Sequence, residues 1–271
     1  GTLTLNQMTA RALAVAGRRF SVDGEGYSTD GRITQVGGSG YGPLEPFMMP
    51  MALANDAVIR DGTCIGDPTE GALVVLAAKG GLDVEETRRT FPRVAEVPFD
   101  AEYKLMATFH EMQAQGTPVV RCFVKGAPDV LLARSSRYLE VDGSSPPLTG
   151  AARDKVLAAN DRMAGEGLRV LAVAMRDFDP GAFDPAADLL ALVDELELMA
   201  LIGIVDPPRK EAKDAIALCK EAGIRVRMIT GDHATTAAAI AGQLGIEGRA
   251  LTGAEFAALP DDQLLAEVGD I

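Results

Sequence analysis

Transition-metal chemistry has little to work with in this sequence. It holds two histidines, His110 and His233, and three cysteines, Cys64, Cys122 and Cys219, with no histidine-rich cluster and no thiol spacing that suits a metal. Thiols this few and this far apart are those of a reducing compartment, and no disulfide framework is expected. Aromatic residues make up 5% of the chain, so few rings are on offer for stacking. The longest apolar runs, 71–78 and 198–205, fall well short of the ~20 residues that cross a bilayer, and no membrane span is expected. Positive charge is also scarce: 26 Lys and Arg against 39 Asp and Glu leave a net charge of −13, with pI near 4.6. That balance argues against an unspecific polyanion-binding surface and against nucleic acid as a partner, although a local pocket of lysines still suits one phosphate chain.

What is present is an ordinary globular composition. With 271 residues, 47% of them apolar and 24% charged, the chain can bury a substantial core as one large or two moderate domains. It opens Gly1-Thr2-Leu3-Thr4, without an initiator methionine or signal peptide, and stops at Gly269-Asp270-Ile271, where an acidic helix gives way to what reads as another strand. A piece of a longer protein is the expectation.

Short strand pieces interrupted by flexible turns are expected over 20–27 and 31–33, and a helix over 44–59, its methionines at 48, 49 and 51 packing rather than ligating. Helices follow from Asp67-Pro68 and over 83–88. Strands at 95–99, 104–110 and 118–125, joined by polar turns, suit an antiparallel sheet. Helices at 127–133 and 151–163, strands at 169–176 and 196–205, and a surface loop at 177–185 complete the middle. From 210 onward the pattern becomes α/β alternation: helix 210–222, strand 224–229, helix 233–244, then short helices near 254–258 and 261–268. The architecture expected is an antiparallel-sheet α+β domain, residues 7–202, inserted into a partial Rossmann-like domain that owns residues 1–6 and 203–271.

The chemistry is expected at two places. The strand 224–229 breaks at Thr230-Gly231-Asp232 and becomes an alanine-rich helix, so a hydroxyl, a flexible backbone and a carboxylate stand beside unpaired helix N–H groups, a setting for phosphate. In the middle region Phe99 ends a strand where its face suits a planar base, while Lys104 and Lys125 stand at strand ends with Gly126 letting backbone approach a ligand. Glu70 falls in the first turn of a helix and Arg169 enters a strand. Each has a plainer structural reading: a core phenylalanine, surface lysines, a dipole-favoured acid and a solvent-facing arginine.

Taken together these motifs resemble the P-type cation-transporting ATPases, in the calcium and sodium/potassium pump branch, over essentially the whole chain. Gly1-Thr2-Leu3-Thr4 is similar to the end of the phosphorylation motif Asp-Lys-Thr-Gly-Thr-Leu-Thr. Asp67-Pro68-Thr69-Glu70, Pro98-Phe99-Asp100 through Lys104-Leu105-Met106, Lys125-Gly126-Ala127-Pro128, Asp206-Pro207-Pro208-Arg209 and Met228-Ile229-Thr230-Gly231-Asp232 follow in family order. Asp67-Pro68 differs from several animal pumps, which bears on the branch more than on the pocket.

The resemblance implies a nucleotide-binding domain inserted into a haloacid-dehalogenase-like phosphorylation domain. It implies that Phe99 stacks on adenine, that Glu70 faces the adenine amino group, that Lys104, Lys125 and Gly126 line the nucleotide pocket, and that Arg169 contacts phosphate or ribose. Asp206 would sit at the inter-domain hinge, stiffened by Pro207 and Pro208, and Thr230, Gly231 and Asp232 would meet the transferred phosphoryl group. ATP with Mg²⁺ is the implied ligand, an aspartyl-phosphate the implied intermediate, and the transmembrane and actuator domains of one parent chain, with a transported cation, the implied partners. The phosphorylated aspartate would precede Gly1, and the later Gly-Asp-Gly-x-Asn-Asp magnesium segment is absent. The piece itself is therefore expected to be a monomer on the cytoplasmic side of a membrane protein, binding ATP without hydrolysing it and holding no cofactor tightly. A soluble haloacid-dehalogenase-like phosphatase with a large cap, or a nucleotide-sensing or protein-docking module, are the alternatives. The phosphatase gives no reason for Phe99, Lys104 and Lys125 together.

Overall fold

A computed structural model describes residues 2–38, 42–230, 234–260 and 263. In chain order the elements are β1 (Thr9–Val15), β2 (Arg18–Val22), β3 (Ile33–Gln35), α1 (Glu45–Leu53), β4 (Val58–Arg60), β5 (Thr63–Ile65), α2 (Pro68–Lys79), α3 (Val84–Thr90), β6 (Arg93–Asp100), β7 (Leu105–Ala114) and β8 (Thr117–Gly126). They continue with α4 (Pro128–Ala133), β9 (Ser135–Tyr138), α5 (Gly150–Gly165), β10 (Arg169–Phe178), α6 (Leu189–Leu192), β11 (Leu196–Val205), α7 (Lys210–Glu221), α8 (Ala234–Leu244) and α9 (Gly253–Ala257).

One large sheet runs β3-β2-β1-β11-β10-β8-β7-β6, antiparallel throughout, with β9 added parallel to β11. Period-two alternation sends Leu13, Phe20, Phe123, Val173 and Ile202 to one face, where they bury against Phe47, Met48, Met51, Leu73 and Leu76 of α1 and α2. The alternate residues, among them Leu105, Phe109, Cys122, Val124, Ala172 and Leu201, pack under α4 and α5 on the other face. Met48 and Met51 are fully buried packing residues, as their apolar surroundings require.

Local chemistry sets the element ends. Pro68 occupies the first turn of α2, where its missing N–H costs nothing, and the Asp67 carboxylate caps that turn by accepting from Thr69 N (2.8 Å) and Glu70 N (3.2 Å). The expected helix over 44–59 is shorter: α1 stops at Leu53. Asn55 ends it by donating from Nδ2 to Met51 O (2.9 Å) and accepting from Ala57 N (2.9 Å), an Asx turn that diverts the backbone. Residues 58–65 then form the β4–β5 hairpin around Asp61 (φ 51°) and Gly62 (φ 72°), the two-residue Asp-Gly turn whose positive φ values match strand twist.

The chain enters and leaves the large sheet side by side. Beyond the β1/β11 ladder, Thr4 bridges Pro208, Leu5 N donates to Pro207 O (3.0 Å) and Arg209 N donates to Leu3 O (2.8 Å). After this crossing, Ile216, Ile240 and Leu244 of α7 and α8 form a small separate cluster that Leu3, Val226 and Met228 cover. The strand expected at 224–229 does not form. Its alternation is real, with Val226 and Met228 turned inward and Ile229 99% exposed, but a strand exists only where another pairs with it, and no described segment lies alongside.

Candidate functional site

Five strands finish or begin at the same end of the sheet. There β6 ends at Asp100, β7 begins at Leu105, β8 ends at Gly126, β10 begins at Arg169 and β11 ends at Val205, with Asp100, Leu105, Gly126 and Ala172 in one transverse row. Neighbouring strands lie ~4.8 Å apart, so Phe99, Lys104, Lys125 and Gly126 start within about 10 Å of one another. Arg169 pairs with Ile204 two residues before Asp206, which places it beside the crossing.

The side chains differ sharply in environment. Phe99 is 61% exposed on the edge strand, where a register slip between Val97 and Asp100 puts an extra residue on β6. Such an apolar ring left in water is out of keeping with the core phenylalanines Phe20, Phe47, Phe109 and Phe123. Lys104 is exposed and its backbone is left-handed (φ 54°), a conformation few lysines adopt. Its N–H donates to Asp100 O (2.8 Å) and its carbonyl accepts from Ala127 N (3.0 Å), tying this turn to the end of β8. Gly126 is obligatory for that approach, since a Cβ would stand 2.6 Å from Lys104 O and 2.8 Å from Leu131 Cδ1.

Lys125 is 6% exposed, against the surface position that a lysine ordinarily takes. Its ammonium donates to Ala54 O (2.5 Å) and Glu70 Oε1 (2.5 Å), with Met106 Sδ at 3.2 Å. Burial pulls its pKa below the ordinary 10.5 and the Glu70 carboxylate pulls the other way. The second Glu70 oxygen accepts from Asp56 N (3.1 Å), and Asn55 Nδ2 donates to Glu70 O (2.9 Å). Arg93, at the start of the Phe99 strand, donates to Asp56 Oδ1 (2.8 Å) and to Glu96. Asn55, Asp56 and Arg93 thus belong to the surroundings of Lys125 and Glu70, as does Arg88, which donates to Asn55 O (3.3 Å), and none was picked out by motif. The one sequence signal for them is an Asn-Asp pair closing an apolar helix.

Arg169 is exposed, and Asp206 is half-buried with Oδ1 accepting from Gln7 N (3.3 Å) across the crossing. Thr230 is exposed; Gly231 and Asp232 lie outside the described residues. Among the described residues no three His, Cys, Asp or Glu side chains converge as a metal centre would need. A cavity of about 430 Å³ opens between α5 and the sheet, floored by Leu148, Met163 and Leu198, on the face away from Lys125. The candidate site is instead the open sheet end, with an exposed ring, an exposed cation, a buried cation–carboxylate pair and a glycine turn. That set suits a planar base followed by phosphates.

A mixed α/β domain on an antiparallel sheet, with this set of residues at one end, defines the class. Residues 44–211 match the family model described as P-type ATPase, cytoplasmic domain N, and the chain belongs to that family. It is 40% identical over 280 residues to the "Probable cation-transporting ATPase F" of Mycobacterium tuberculosis, covering 97% of this chain and 30% of that protein. It is 36% identical over 282 residues to the "Calcium-transporting ATPase" of Bacillus subtilis, covering 100% of this chain and 31% of the relative. The human "Calcium-transporting ATPase type 2C member 1" is 36% identical over 274 residues, covering 97% and 28%. The chain therefore spans about 30% of the length of these relatives.

Proposed function

We propose that this chain is the ATP-binding portion of an ATP-driven cation pump that passes through an aspartyl-phosphate. The observation that carries the reading is the meeting of Glu70, Phe99, Lys104 and Lys125 at one sheet end, with the ring exposed and Lys125 buried on Glu70. In this reading Phe99 stacks on adenine, Glu70 and Lys125 face the base and its approach to the phosphates, and Lys104 and Arg169 supply exposed positive charge to phosphate or ribose. Gly126 lets the β8 turn come close to the ligand.

The paired entry and exit segments support a domain of residues 7–202 inserted between two pieces, 1–6 and 203–271, of a haloacid-dehalogenase-like phosphorylation domain. Asp206 lies at that hinge, and Thr230, Gly231 and Asp232 serve the phosphoryl group. In the parent an aspartate oxygen attacks the γ-phosphorus, ADP leaves, and water later cleaves the acyl phosphate. Magnesium arriving with ATP would offset the phosphate charge, and Asp206 is the residue of this chain that would help to position it. No Asp-Lys-Thr-Gly run occurs in the 271 residues, so this chain binds ATP without turning it over. The parent would be a multi-pass protein of the cell membrane, with this portion on its cytoplasmic side as a monomeric unit and with transmembrane and actuator domains in the same chain.

Titration calorimetry with ATP, alongside a phosphate-release assay, tests the reading. Binding without release is the expected result. A chain that binds none of ATP, ADP and AMP overturns it.

A further inference from the structure

The C-terminal end of α1 is closed by cations. An α-helix leaves its last carbonyls without partners and carries partial negative charge there. Arg88, from α3, donates through Nε to Ala52 O (2.9 Å), through Nη1 to Ala57 O (2.9 Å) and through Nη2 to Asn55 O (3.3 Å). Arg93 donates to Leu53 O (3.4 Å) and again to Asn55 O (3.3 Å), and Lys125 takes Ala54 O. Three cations thus hold the carbonyls of 52–55 and 57. The Arg88 guanidinium has one long ion pair, with Glu85 at 4.0 Å, and burial disfavours its charge, so its hydrogen bonds go to the three carbonyls.

We propose that Arg88 is a positioning residue for the nucleotide site, fixing the 52–57 turn and, through it, both the ammonium of Lys125 and the carboxylate of Glu70. The linkage is short. Ala54 supplies the carbonyl under Lys125, Asp56 supplies the N–H on Glu70, and both residues lie between carbonyls that Arg88 clamps. A guanidinium suits this task because its planar fork spreads donors over three nitrogens and so reaches oxygens spaced along the turn, whereas a lysine gathers its three donors on one atom. Arg93 braces the same turn from the Phe99 strand, but it also satisfies Asp56 and Glu96 and so serves two purposes. The geometry stands by itself; only its consequence for ligand binding rests on the nucleotide reading above.

The test therefore has an arm that needs no nucleotide. Reductive methylation of the 271-residue chain, read residue by residue by mass spectrometry, should modify exposed Lys104 quickly and Lys125 slowly. Arg88→Ala should raise the Lys125 rate about tenfold or more by letting the turn open. Arg153→Ala is the control, since Arg153 also donates to buried-side carbonyls, those of Leu132 and Ser135, on the other face of the sheet. It should cost stability without releasing Lys125. Should Arg88→Ala fail to fold, Arg88→Lys carries the test, because it keeps charge and stem but not the fork, and it too should release Lys125. Protection of Lys125 unchanged in the folded Arg88 variants, or equal release in Arg153→Ala, overturns the proposal.

The second arm is ADP binding. Arg88→Ala should weaken it about 5- to 30-fold with Lys125 present and less than about 2-fold once Lys125→Met has removed the ammonium and its hold on Glu70, because Arg88 acts through that pair. Equal losses in both backgrounds overturn the proposal. If the unmodified chain binds no nucleotide, the ATP reading fails and the labelling arm alone decides the role of Arg88.

Discussion

The ammonium of Lys125 lies 2.5 Å from Oε1 of Glu70, and the two side chains keep only 8% and 14% of their surface in water. A buried pair of this kind adds little net stability over an apolar pair of the same size, but removing one partner strands the other charge at a cost of about 3–5 kcal/mol. Glu70→Gln should therefore lower unfolding free energy by an amount in that range, and Glu70→Gln combined with Lys125→Met should recover most of it. Urea denaturation of the two variants decides the matter. A loss under about 1 kcal/mol for Glu70→Gln shows that solvent reaches the pair.

His110 makes stability depend on acid. Its Nδ1 donates to Phe91 O (2.8 Å), Thr108 Oγ1 lies 2.9 Å from Nε2, and the ring is 1% exposed. Burial is the largest influence and lowers the pKa from 6.5 to about 4. Between those values the unfolded chain binds the proton and the folded chain does not, so stability rises with pH there. Stability present above pH 6.5 is lost progressively as pH falls toward 4, by about 3 kcal/mol in all. Urea midpoints at pH 7 and pH 5 should differ accordingly, and the His110 ring resonance should not titrate near 6.5; a normal titration refutes the assignment.

How much of this was legible in sequence depends on whether the cause is local. Strands β6, β7, β8, β10 and β11 announce themselves by apolar alternation, and the Asp67-Pro68 helix start by its cap chemistry. Of the β4–β5 hairpin only 58–59 fall within the stretch that reads as a helix, and Asp61-Gly62 is the local turn signal for the rest. At 224–229 the alternation is correct and the strand absent, because pairing belongs to the neighbour and not to the segment. The burial of Lys125 is beyond any composition rule: it depends on Ala54 and Glu70, brought by α1 and α2 from more than fifty residues away. Arg88 carries no motif at all, since its hydrogen bonds go to backbone, and Arg93 divides its own between backbone and the carboxylates of Asp56 and Glu96.

Protection from hydrogen exchange should be uneven. Strands β7, β8 and β10 are paired on both sides and packed on both faces, whereas the α7–α8 region rests on Ile216, Ile240 and Leu244 as its buried cluster. Amides of 210–221 and 234–244 should exchange at least about 100-fold faster than those of β8, as expected for a sub-global opening a few kcal/mol below the global one. A chain of residues 7–202 alone should keep the slow class, because all of the large sheet but the last three residues of β11, 203–205, lies within it together with both helix layers. Uniform protection across the 271 residues contradicts the proposed division at 202.

The candidate pocket should divide its work between a neutral face and a charge. Phe99→Ala removes a ring that is 61% exposed, so the fold should be unaffected. The loss in nucleotide affinity should be about 1–3 kcal/mol, alike for ATP, ADP and AMP and nearly independent of salt, because stacking sees only the base. Lys125→Met takes away an ammonium. If that charge reaches the phosphates, its effect grows from AMP to ATP and shrinks as salt screens it; if it stays against the base, all three nucleotides weaken alike. The pH dependence adds a second signature. With the Lys125 pKa held below 10.5 by burial, its contribution should fade as pH rises toward that value, and the fade should vanish in Lys125→Met. Titrations with the three nucleotides at two ionic strengths and across alkaline pH, on variants checked for folding by circular dichroism, separate these cases. Unchanged binding of AMP and ATP by Phe99→Ala removes adenine from the Phe99 ring, and with it the placement of the base at this end of the sheet.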